Sequence, residues 1–133
     1  MRAEDLQVGD WVFINDVPLQ VGALSDRVGF RDSEGKIYWA QDGFDRLEPI
    51  PLTEEILVKN GFEKTYTDNE LWFTLNNLTV TIVNIRGSNK WYAGCEHYSN
   101  NSSDWVERQF DCKYIHQLQH LLRLCGVWKE IEL

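Results

Sequence analysis

The stretch DWVFINDVPLQVGALSDRVGFRDSEGKIYWAQDGFDRLE, residues 10–48, decides the fold. Its apolar residues fall in short runs: Trp11 to Ile14, Val17 to Val21, Val28 with Phe30, and Ile37 to Trp39. Runs of this length, rich in β-branched and aromatic residues and cut by turn residues, read as strands. Asn15-Asp16, Gly22, Ser25-Asp26 and Asp32-Ser33-Glu34-Gly35 supply the cuts, and Gly35 offers the positive φ that a hairpin loop needs. Four or five strands in so short a span predict a small barrel, because a strongly curved sheet of this size encloses a core by closing on itself. The expected architecture over residues 1–50 is an SH3-like β-barrel. Leu6-Gln7-Val8-Gly9-Asp10-Trp11-Val12 resembles the lead-in of many SH3-like barrels, where a Gly-Asp turn delivers a first strand.

Downstream, Glu48-Pro49-Ile50-Pro51-Leu52 places two prolines in three positions, which removes backbone donors and favours an extended connector between lobes. Thr53 follows as an N-cap, Glu54 and Glu55 complement the helix dipole, and Gly61 ends a short helix at about 54–60. Residues 64–110 return to β. Leu71, Phe73 and Leu75 alternate with polar neighbours, Asn76-Asn77 turns the chain, and Leu78 to Val83 runs back. Lys90 to Tyr98 and Trp105 to Phe110 extend the meander. From Tyr114 to Cys125 the period becomes helical, with Ile115, Leu118, Leu121 and Leu122 on one stripe and Gly126 as the stop. Val127 to Leu133 alternates again and reads as a last edge strand. The chain is therefore expected to be α+β: a barrel lobe at 1–50, and at 53–133 a helix, an antiparallel meander and a packing C-terminal helix.

At 133 residues the chain is long enough to hold a core without disulfide or metal staples. Asp and Glu number 21 against 13 Lys and Arg, a net charge of −8. The imbalance is spread over both lobes, 5 basic and 10 acidic groups in residues 1–52 and 8 and 11 in the remainder. Such a field repels a phosphate backbone, so direct nucleic-acid binding is disfavoured. It also permits an acidic mimic of DNA that inhibits a host enzyme, although the acids are scattered in singles and pairs. No stretch approaches the roughly 20 apolar residues of a membrane helix, and the acidic N-terminal decapeptide is unlike a secretory signal. Three cysteines, Cys95, Cys112 and Cys125, lack CxxC spacing. Free thiols in the cytoplasm are expected from that pattern.

Three segments together carry a family resemblance: LQVGDWV at 6–12, EPIPLTEEILVKNGF at 48–62 and KYIHQLQHLLRLCG at 113–126. In this order they resemble a group of small uncharacterised proteins carried by Bacteroidetes phages, prophages and mobile elements. The resemblance implies a bacterial or phage setting and an accessory role, and it carries over no catalytic residue.

Candidate sites are few. Trp11, Tyr38 and Trp39 form the candidate binding strip of the barrel, since exposed aromatics on a small β lobe stack against peptides, sugars or bases. Asp26, Asp32, Glu34 and Asp42 are expected to rim it and to favour a basic partner. His116 and His120 lie four apart on the C-terminal helix with Cys112 one turn earlier, the best metal candidate in the sequence, and Cys95-Glu96-His97 is a second, weaker cluster. The bland reading of the first three is a solvated helix face with one packed histidine. Cys95 and His97 would share a strand face and could pair as thiolate and imidazole, but no orienting group or oxyanion donor is evident. The leading expectation is a non-enzymatic protein-interaction module that needs no cofactor and binds a protein partner through the barrel lobe or an open sheet edge. An exposed edge could also pair symmetrically in a homodimer. The alternatives are a small metal-dependent or Cys/His enzyme and the acidic DNA mimic.

Overall fold

A computed structural model describes residues 1–25, 27–40, 43–75, 80–95 and 110–133, without the side chains of residues 3, 43, 45, 95 and 110. The chain divides into two compact units, one of residues 1–51 with 114–116 and the other of residues 52–113 with 117–133. Each contains a five-stranded antiparallel sheet, so the fold class is α+β.

In the first unit the strands are β1 (Trp11–Ile14), β2 (Val17–Leu24), β3 (Val28–Arg31), β4 (Ile37–Trp39) and β5 (Leu47–Pro49), ordered β4-β3-β2-β1-β5. Asn15 and Asp16 take φ of 49° and 63° and join β1 to β2, the positive pair that lets a two-residue turn follow the strand twist. At the β3–β4 loop, Asp32 Oδ1 accepts the N–H groups of Glu34 and Lys36, both at 2.9 Å, around Gly35 at φ 83°. A 3-10 turn over Gly43–Arg46 leads into β5. Period-two alternation sends Val12, Val21, Val28, Phe30 and Leu47 to one face, where they bury with Leu6. The lead-in turn is pinned from within: Asp10 is fully buried, its carboxylate accepts the Gln7 N–H at 2.7 Å, and Gly9 N–H donates to Val21 O at 2.7 Å.

The closed barrel expected from the sequence does not form. Pairing ends at β4 on one side and β5 on the other, and among the described residues these edges are not hydrogen-bonded to each other. Both are three-residue strands, and Pro49 and Pro51 deprive the β5 side of donors, so the sheet curves around its core without zipping shut. Pro51 bridges to Tyr114, and Ile115 N–H donates to Ile50 O at 2.9 Å.

The second unit starts with α1 (Glu54–Lys59), capped by Thr53, whose Oγ1 accepts Ile56 N–H at 3.3 Å. It ends in a Schellman motif: Phe62 N–H returns to Leu57 O and Gly61 N–H to Val58 O, with Gly61 at φ 88°. Strands β6 (Glu63–Tyr66), β7 (Glu70–Leu75), β8 (Val80–Ile85), β9 (Trp91–Cys95) and β10 (Phe110–Asp111) form a meander in the order β10-β9-β8-β7-β6. The expected strand over Trp105 to Phe110 and the Asn76-Asn77 turn lie largely outside the described residues. Phe73, Leu75, Val80, Ile82 and Ala93 share one sheet face and are buried. On α2 (Ile115–Leu124), Ile115, Leu118, Leu121 and Leu122 bury at helical spacing, and Gly126 closes a second Schellman motif through Val127 N–H to Leu122 O.

The tail is not a strand. Its alternation reads as β, but the Asn60 side chain takes the place of a neighbouring strand: Nδ2 donates to Glu132 O at 2.7 Å and Oδ1 accepts Glu132 N–H at 2.8 Å. Ile131 is buried beside this clamp, and Lys59 Nζ donates to Leu133 O.

Candidate functional site

Two of the three aromatic candidates, Tyr38 and Trp39, lie on β4, an edge strand. The β3–β4 register pairs Gly29 with Trp39, Phe30 with Tyr38 and Arg31 with Ile37. Flanking bonds from Asp32 N–H to Lys36 O and from Ala40 N–H to Val28 O set the alternation. Tyr38 then exchanges bonds with β3, while Ile37 and Trp39 turn their N–H and C=O groups toward the open side. No described strand occupies that side.

Paired residues share a face, so Trp39 lies on the outer face with Gly29, and Tyr38 on the core face with Phe30, at the sheet's margin. Trp39 is 43% exposed and Tyr38 53% exposed. Trp11 is half-buried on the outer face, but the rung Trp11–Gln20–Arg31–Ile37 places it three strand spacings, about 14 Å, from β4. The three aromatics expected as one strip therefore divide between two faces.

Ile37 anchors the edge. A Cβ built at Gly29 would lie 2.7 Å from Ile37 Cγ2 and 3.4 Å from Trp39 Cε3, and one at Gly22 would collide with Ile37 Cδ1. Two side-chain-free positions thus form the seat on which Ile37 rests. Gly22 coincides with a register irregularity in β2, between Val21 and Ala23.

Among the described residues two cations lie against the rings. Arg27 lies 5.2 Å from the Trp39 ring centre and Lys36 5.4 Å from that of Tyr38. Arg31 is exposed on the Ile37 rung. Among the described residues none of these three cations forms a salt bridge. Of the expected acidic rim, Asp26 and Asp42 lie outside the described residues, Asp32 is engaged in its own loop, and Glu34 is exposed on that loop. Desolvation and a hydrogen bond to that same Asp32 push the Tyr38 hydroxyl above its ordinary value. Sequence reasoning missed Arg27, Arg31, Lys36 and Ile37. The signal for Ile37 was the pair of glycines on neighbouring strands.

The metal and thiol candidates behave differently. Cys112 is a buried free cysteine, and burial pushes its thiol up to about 12, so it is protonated at neutral pH and neither attacks nor ligates as a thiolate. His116 is buried, with its ring stacked on Tyr114 at 5.9 Å. Desolvation raises the neighbouring Asp5 carboxyl, but hydrogen bonds and charge from Arg2, with a smaller contribution from His116, bring it below its ordinary value. His120 is half-buried further along α2. Among the described residues no three His, Cys, Asp or Glu side chains are placed to hold a metal ion. His97 and the Cys95 side chain fall outside the described residues. The expectation of free thiols fails at Cys125, which is disulfide-bonded.

No described helix is long and apolar enough to cross a membrane. Comparison of the chain with protein-family models, curated proteins and solved structures finds no match.

Proposed function

We propose that this chain is a non-enzymatic protein-interaction module, of the phage or mobile-element accessory kind, whose first unit is an SH3-like lobe that takes an extended partner segment on β4. The observation that carries the reading is the open side of β4: the backbone groups of Ile37 and Trp39 face outward between two exposed aromatic side chains. An edge of this kind binds by strand addition, in which backbone bonds give affinity and alternate side chains give specificity. The strand order with β5 beside β1, and the 3-10 turn leading into β5, support the SH3-like assignment. The other edges are less suited. Prolines guard β5, β10 has two residues, and on β6 the Lys64 ammonium is already paired with Glu54.

The test is capture from bacterial lysate with the native chain, Trp39→Ala and, as a control on the other unit, Tyr66→Ala. The reading expects a partner held by the native chain and the control and lost by Trp39→Ala. A partner retained equally by a folded Trp39→Ala refutes it, as does no enrichment by well-folded native protein. The cytoplasm is the compartment proposed with this function, and Cys125 tests it: chain recovered from cells with Cys125 reduced supports the assignment, and recovery in the oxidised state opposes it.

A further inference from the structure

We infer that the occupant of the β4 edge is an acidic extended peptide. The inference rests on the edge-strand reading above and adds the partner's chemistry. In a chain of net charge −8, Arg27, Arg31 and Lys36 gather around a three-residue strand with no carboxylate partner among the described residues. The loop's Asp32 spends its acceptors on two backbone N–H groups and the Tyr38 hydroxyl, and among the described residues it forms no ion pair with these cations.

Their positions match the two faces of an added strand. On the outer face Arg27 stacks on Trp39 and Arg31 shares the rung of Ile37, so outward residues of the peptide lie between two guanidinium groups. On the opposite face Lys36 lies over Tyr38. Carboxylates at alternate positions would meet the guanidinium pair while the intervening residues cover the Tyr38 ring. Both arginines carry planar, delocalised charge, Arg27 of them over the Trp39 ring, and such a group binds a carboxylate better than a hydrated ammonium does.

Charge also decides between this occupant and a second copy of the chain. A two-fold β4–β4 pairing centred on Tyr38 would place Ile37 of each copy opposite Trp39 of the other. Arg31 of each copy would then share a rung with the other copy's Trp39, over which Arg27 lies, and gathering like charges on one face opposes that arrangement. An acidic peptide turns the same groups into attraction.

The probes are three capped six-residue peptides that alternate valine with glutamate, serine or lysine. They are titrated into the full chain, with hydrogen exchange at the Ile37 and Trp39 amides and affinity at low and high salt as readouts. The glutamate peptide should protect both amides, lose affinity as salt rises, and bind about tenfold more weakly to Arg27→Glu/Arg31→Glu. Equal protection by the serine or lysine peptide overturns the charge assignment and leaves strand addition standing. If no peptide protects these amides, or if they are protected by self-association that the glutamate peptide does not relieve, both fall. The peptide and salt comparisons on the native chain keep the test decisive if the double variant folds poorly.

Discussion

Gly29→Ala should destabilise the first unit, and the same substitution should stabilise it once Ile37 is shortened. Gly29 does not require a positive φ, so alanine is conformationally allowed there, and the steric cost has one main source. The new Cβ would lie 2.7 Å from Ile37 Cγ2, about 1 Å inside ordinary carbon contact, whereas Ala23 Cβ and Trp39 Cε3 stand at 3.4 Å. Cγ2 is a branch at Cβ and cannot move without changing χ1, so relief requires an off-rotamer Ile37 or a displaced β4. Overpacking of this kind costs about 1–3 kcal/mol. Against it stands a gain of about 0.4–1 kcal/mol, because alanine has less freedom than glycine to lose on folding. The net loss is about 1–2 kcal/mol, a fall of roughly 0.5–1 M in a urea midpoint. With Ile37→Ala in place the collision disappears and the entropy gain remains, so Gly29→Ala becomes stabilising by about 0.4–1 kcal/mol. Urea unfolding of the four proteins, followed by tryptophan fluorescence, measures this cycle. An effect of Gly29→Ala with the same sign and size in both backgrounds would refute the seat of Ile37 on Gly29.

Asn60→Ala removes the bonds to Ile56 O, Glu132 O and Glu132 N–H, and should cost about 2–3 kcal/mol while exposing the 127–133 amides to hydrogen exchange; unchanged tail protection would show that the clamp does not hold the tail. For Cys112 the folded thiol titrates near 12 against an ordinary 9.0, so its contribution is fully present below pH 9 and is lost as pH rises toward 12, by up to about 1.4 kcal/mol per unit; comparing native protein with Cys112→Ala across that range isolates it from other titrations. The same burial predicts that iodoacetamide labels Cys112 only after unfolding, which intact mass reads directly. Asp10→Ala leaves the Gln7 N–H without its acceptor in a buried turn and should cost about 1–3 kcal/mol by thermal or urea unfolding.

Elements defined by local physics were legible in the residues. The strands over Trp11–Ile14 and Ile37–Trp39 show in their β-branched and aromatic content, and the ends of both helices in Gly61 and Gly126, where only a residue that tolerates positive φ completes the Schellman bonds. What depended on distant partners was not legible. Barrel closure turns on whether two edges remote in sequence meet; the prolines beside β5 mark one edge as poor in donors, but composition does not say where the other edge lies. The tail's alternation is genuine, yet its backbone is paired by a side chain 72 residues away. Period two would have placed Tyr38 and Trp39 on opposite faces, so that part of the site was readable. Loop geometry, which sequence pattern does not encode, brings Arg27 and Lys36 over the rings.

The β4 edge also links stability to recognition. Ile37 sits on Gly29 and beside Gly22, and the backbone groups proposed to bind a partner belong to Ile37 and Trp39. A residue that props Ile37 away from β3 would tilt those groups without touching an exposed side chain. Peptide affinity should therefore fall in Gly29→Ala and return in Gly29→Ala/Ile37→Ala to the level of Ile37→Ala, because relieving the collision restores the strand's register. A conventional surface scan would pass over Gly29, which has no side chain to offer a partner. In this edge the absence of a side chain is the structural contribution: it lets the outermost strand lie close enough to β3 to keep Trp39 exposed and its amide directed outward.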